Sequence, residues 1–155
     1  MPDPNLIRQR RKNYRTAIEG AVGSTLFRHI YVIDRRDGRE FDTLEDGENA
    51  CAYVVSCILL LHGLIDAPHS TVATTLEKMH EAGWRQTNEP VWGDIVQWPV
   101  RNGHMHLGFY IDTQNVVSNS SMQRMPIKHH LKMSDGRTPV AYYTHDLLQE
   151  PQAAN

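Results

Sequence analysis

Residues 103–121 read GHMHLGFYIDTQNVVSNSS, and this stretch decides the fold. From His106 to Ile111 the side chains alternate with a two-residue period. Leu107, Phe109 and Ile111 fall on one face, and His106, Gly108 and Tyr110 on the other. Asp112-Thr113-Gln114 interrupts the run, and a second extended segment follows from Asn115 to Ser120. Two β segments separated by so short a polar break predict an antiparallel hairpin. If Asp112 lies opposite Asn115, Gly108 faces Asn119 and His106 faces Ser121. Asn119 is then the diagonal neighbour of His106, and Ser118 points the other way. A slip of one residue exchanges the two.

Working outward, GDIVQWPV (residues 93–100) predicts a preceding strand, joined to the hairpin through Arg101-Asn102-Gly103. After the hairpin, Met125-Pro126 and His129-His130 are read as a loop, and PVAYYTH (residues 139–145) as a last strand. The first half of the chain has a helical period instead. In NACAYVVSCILLLHG (residues 49–63), Cys51, Val54, Ile58 and Leu61 recur at helical spacing, with Asn49 as the expected cap and Gly63 as the stop. A second helix is expected from a Ser70 cap through Val72, Leu76 and Met79 to Gly83. Asp37-Gly38 marks a hairpin within residues 29–43, and residues 6–22 form a helical lead-in. Helices followed by an antiparallel meander make an α+β domain with helix packed on sheet. The expected organisation is one domain over residues 1–155: a lead-in over 1–25, a core over about 47–145 and a polar tail over 146–155.

Composition narrows the function classes. The 155 residues carry 16 Lys and Arg against 18 Asp and Glu, a formal charge of −2, so no strongly charged partner is implied. The basic run IRQRRKNYR (residues 7–15) is read as a solvated helix face, and no nucleic-acid partner is expected. The longest apolar run, VVSCILLLHGLI (residues 54–65), is too short to span a bilayer, so no membrane insertion is expected. The polar start shows no signal peptide. As written the chain reads as soluble and cytoplasmic, with the cell envelope or exterior open by another export route. Nothing in the sequence bears on oligomeric state.

Cys51 carries the candidate chemistry. In the first turn of a helix, free N–H groups and the dipole bias a thiol toward thiolate, the nucleophilic form; a small apolar core residue is the plainer reading. Cys57 lies six residues further along the same helix, about 9 Å of rise away, which excludes a disulfide between them. A cysteine nucleophile needs a base, and the base an orienting partner. His106 is the preferred base of nine histidines because it enters the strand, and Gly108 beside it leaves room for the Cys51 helix. Asn119 is the preferred orienting group. Ser118, His104, Tyr53 and Asp94 are possible supporting residues. No cofactor is implied, and neither cysteine has metal-ligand spacing.

NACAYVVSCIL, GDIVQW, HLGFYID and VVSNSS, in this order, resemble the NlpC-like and CHAP-like cysteine peptidases and amidases of the papain-like fold. The resemblance covers roughly residues 47–121. It implies a triad of helix-start cysteine, strand histidine and polar residue on the next strand, matching Cys51, His106 and Asn119 or Ser118. It also implies a bacterial cell-wall (peptidoglycan) peptide as substrate. The common Asp-Cys-Ser-Gly signature is absent, and Ala50-Cys51-Ala52-Tyr53 leans toward the CHAP-like pattern, as does Gly103-His104. Two other readings stand beside the hydrolase: a cysteine acyltransferase or deamidase, and a catalytically silent binding or immunity-type module.

Overall fold

A computed structural model describes residues 3–149. The chain runs α1 (Arg10–Ala21), β1 (Tyr31–Ile33), β2 (Glu40–Asp42), α2 (Cys51–Leu61), α3 (Val72–Glu81) and β3 (Arg85–Thr87). It continues with β4 (Ile95–Arg101), β5 (His104–Tyr110), β6 (Asn115–Ser120), β7 (Met125–His130), β8 (Ala141–Thr144) and α4 (Asp146–Gln149). The α+β class is as expected. β1 and β2 form a separate two-stranded hairpin closed through Gly38, whose φ of 73° suits a residue without a Cβ. The other strands make one antiparallel sheet in the order β3-β8-β4-β5-β6-β7. The meander from β4 to β7 follows the chain, and β8 returns to the free edge of β4.

Helix ends show where local signals were displaced. Asn49 does not cap α2. Ala50 holds that position without a side-chain cap, and the Asn49 N–H donates to the Leu44 carbonyl. Thr71, one residue after the expected Ser70, caps α3 by accepting from the Thr74 N–H at 3.3 Å. Gly63 and Gly83 follow the helix ends with φ of 67° and 96°, in the left-handed region where a helix stops.

The sheet has two unlike faces. Ile95, Leu107, Phe109 and Val117 face the helices and pack with Tyr14, Ile18, Val54, Val55, Ile58 and Leu59 in the main core. On the opposite face Val96, Trp98, Tyr110 and Val116 form a smaller cluster under Leu131, Met133 and Tyr142. Burying each large side chain of these clusters contributes about 1.5–3 kcal/mol, which is why α2, apolar nearly all round, lies inside.

Three further expectations are corrected. The basic run of α1 is not simply solvated: Arg10 donates to the His62 carbonyl, Arg11 to Leu148 and Arg15 to Trp92, at 3.3, 3.3 and 3.1 Å. His129 and His130 belong to β7, paired along β6, and not to a loop. The polar tail begins with α4, which buries Leu147 and Leu148; the rest of that tail, residues 150–155, lies outside the described residues, as do residues 1–2.

Candidate functional site

Cys51 opens α2 and is half-buried. Its sulfur lies 4.0 Å from the Met105 carbonyl, against the first half of β5. Burial pushes the thiol above its ordinary value, while the backbone N–H groups of Leu107, Ala52 and Cys51 itself favour the anion. Burial outweighs the helix start. The expected thiolate bias is therefore not met in this conformation.

Strand parity places the histidine. Trp98 pairs with His106 across β4 and β5, Gly108 with Ser118 across β5 and β6, and Val116 with His129 across β6 and β7. Directly opposed residues share a face of an antiparallel sheet. His106, Ser118 and His129 therefore lie with Trp98 on the face away from the helices. Cys51 packs into the main core on the other face. The strand β5 separates the expected nucleophile from the expected base. The gap beside Gly108 is filled by Trp98 and Ser118, since a Cβ there would lie 3.1 Å from Trp98 Cζ3 and 2.7 Å from Ser118 Cβ. That corrects the expectation that the Cys51 helix would occupy it.

The register of the hairpin differs by one residue from the expected one. Gly108 faces Ser118 instead of Asn119, so the roles exchange. The Asn119 amide turns to the helix side and donates to the Gly47 carbonyl at 2.8 Å, where it ties β6 to the loop before α2. Ser118 is the partner of His106: its hydroxyl lies 2.8 Å from His106 Nε2. The same hydroxyl lies 2.6 Å from His129 Nε2. His129 Nδ1 lies 2.9 Å from the His130 carbonyl, which can only accept. This assigns the protons: His129 Nδ1–H donates to the carbonyl, and the Ser118 O–H donates to His129 Nε2. His106 Nε2–H then donates to Ser118 Oγ. Burial, with Arg137 and His129 nearby, pushes the His106 pKa down to about 3. Burial lowers that of His129 as well.

The remaining candidates are scattered. His104 is exposed at the start of β5, opposite Arg101. Tyr53 packs edge-on against Phe27 at 6.5 Å and shares a hydrogen bond with Cys57, away from Cys51. Asp94 is fully buried at the start of β4, accepts from the Val91 N–H at 2.8 Å, and has its pKa raised by burial to about 6. Among the described residues no three His, Cys, Asp or Glu side chains gather as metal ligands, and no helix is long and apolar enough to cross a membrane. A groove of about 260 Å³ opens between α1 and the helix-facing side of the sheet, lined by Glu19, Val22, Trp92, Ile111, Val117 and Lys128.

His129 is the residue that sequence reasoning missed. Its signal was parity: once Met125–His130 is read as a strand antiparallel to Asn115–Ser120, His129 shares the face of Val116 and Ser118. No protein-family model matches this chain, and no curated protein matches it.

Proposed function

We propose that this protein is a cysteine-dependent amide hydrolase of papain-like type, acting on peptidoglycan peptide through an acyl-enzyme. The observation that carries the reading is the placement of Cys51. The first-turn thiol is lodged against the β5 segment that bears His106, with the N–H groups of Ala52, Leu107 and Cys51 facing its sulfur. Backbone N–H groups gathered at one point stabilise both a thiolate and the oxyanion that forms when it attacks a carbonyl. In the reaction Cys51 adds to the amide carbon, and the C–N bond breaks. The thiol proton passes through the base to the leaving amine. Water then hydrolyses the thioester, releasing the acid and restoring the thiol.

His106 serves as base only after crossing to the face of Cys51. A one-residue shift of a strand moves each side chain to the other face, and β5 has a place for it. The β4–β5 register is irregular between Trp98 and Arg101, and the β5–β6 pairing ends at Gly108–Ser118, so residues 104–107 are held on the β4 side alone, with His106 and Leu107 paired to Trp98 and Gln97.

The separation of Cys51 and His106 favours the silent binding module as the second reading. Digestion of purified peptidoglycan, with mass analysis of the products, separates the two. The hydrolase releases peptide fragments that Cys51→Ala does not. A silent module releases none while still sedimenting with the polymer.

A further inference from the structure

We propose that Ser118 and His129 form a latch that holds His106 on the face of the sheet away from Cys51, so that the described conformation is a resting form. The inference rests on the hydrolase reading, because a latch has meaning only if His106 has work to do at Cys51.

Three observations carry it. The hydrogen bonds run in one direction and leave no donor in the chain idle: His106 Nε2–H to Ser118 Oγ at 2.8 Å, Ser118 O–H to His129 Nε2 at 2.6 Å, and His129 Nδ1–H to the His130 carbonyl at 2.9 Å. Hydrogen bonds aligned in this way polarise and strengthen one another, and more so where water is excluded; Ser118 is 2% exposed. Second, the ring of His106 lies against Trp98 at 5.4 Å between centroids, and that of His129 at 5.9 Å. Trp98 is itself anchored by its Nε1–H to the Leu131 carbonyl at 3.0 Å. Third, the hold on His106 comes from side chains of β6 and β7 and from Trp98, whereas the β5 backbone beside it borders the irregular β4 pairing. The side-chain contacts therefore add to the hold that the buried Leu107 and Phe109 already give this register. A hydroxyl bridging two imidazoles also selects one tautomer for each ring, which a merely space-filling serine would not do.

The test compares the full-length wild type with Ser118→Ala, His129→Phe and His129→Gln. Two readouts are taken at pH 7: the imidazole nitrogen NMR signals of His106, and the iodoacetamide labelling rate of Cys51 relative to Cys57. In the wild type His106 should carry its proton on Nε2, and Cys51 should label slowly. Ser118→Ala and His129→Phe should move the His106 signals and speed Cys51 labelling by about tenfold or more, as expected when a histidine base lowers a thiol pKa by a unit. His129→Gln, which keeps an acceptor for the Ser118 hydroxyl, should stay near the wild type. Should Ser118→Ala not fold, His129→Phe and His129→Gln carry the same comparison. Unchanged or slower Cys51 labelling in the opened variants overturns the latch. Faster labelling without release of peptidoglycan fragments leaves the latch and the Cys51–His106 pair standing and removes peptidoglycan as the substrate instead.

Discussion

Gly108 sits directly opposite Ser118 in the β5–β6 pairing, and a Cβ on Gly108 would lie 2.7 Å from Ser118 Cβ. The glycine is what lets the serine stand beside His106. Gly108→Ala must push Ser118, the Val117 carbonyl or Trp98 aside, and overpacking of this kind costs about 1–3 kcal/mol. The expected outcome is a lower melting temperature together with a shift in Trp98 fluorescence. An unchanged melting curve would show that the strands part more easily than this pairing indicates.

Asn119 belongs to the scaffold. Its amide donates to the Gly47 carbonyl at 2.8 Å, and Gly47 itself has φ of 85° with the Arg124 carbonyl close against it. Asn119→Ala leaves that buried carbonyl without its donor, a loss of about 1–3 kcal/mol. Denaturant unfolding should register the loss while the His106 imidazole signals stay where they are. Movement of those signals would return Asn119 to the neighbourhood of the histidine.

The histidines of the sheet and Asp94 act on stability with opposite signs. His106 has its pKa lowered from the ordinary 6.5 to about 3, so the unfolded chain binds its proton first. Its contribution is fully present above pH 6.5 and is lost as pH falls toward 3. His129, also lowered, acts in the same direction. Asp94 has its pKa raised from 3.8 to about 6, so the folded chain binds its proton first. Its contribution is present below pH 3.8 and lost as pH rises through 6. Between pH 4 and 6 the Asp94 slope offsets that of one histidine. Asp94→Asn should remove this offset, making stability fall more steeply on acidification by about 1.4 kcal/mol per pH unit. Unfolding free energies measured at pH 4, 5 and 6 would contradict the assignment if both proteins gave the same slope.

Arg15 gives the basic N-terminal run a structural use. Its guanidinium donates to the Trp92 carbonyl through two nitrogens, at 3.1 and 3.3 Å, and lies over the Trp92 ring at 5.2 Å. Arg15→Ala should cost about 1.5–3 kcal/mol, in the range of a charged hydrogen bond. Arg15→Lys should recover only part, because an ammonium lacks the planar fork that serves both contacts. Thermal melts of the three proteins check this. Full rescue by lysine would mean that charge alone matters at the site.

Period and composition in the sequence determined α1 to α3, the strands β1, β2, β4, β5, β6 and β8, the α+β class, the alternation along His106–Ile111 and the two glycine stops, but not β3, β7 or α4. These are local properties: they depend on backbone preference and on which residues share a face of one element. Register and sidedness depend on contacts between elements. The β5–β6 turn could close with Gly108 opposite either Ser118 or Asn119, and only packing against Trp98 and the loop at Gly47 decided it. Alternation likewise placed His106 and Leu107 on opposite faces, but whether α2 covered the histidine or the leucine was a tertiary choice. It went to the face where Leu107 and Phe109 bury apolar surface against α2, because that burial outweighs what one imidazole gains beside a thiol.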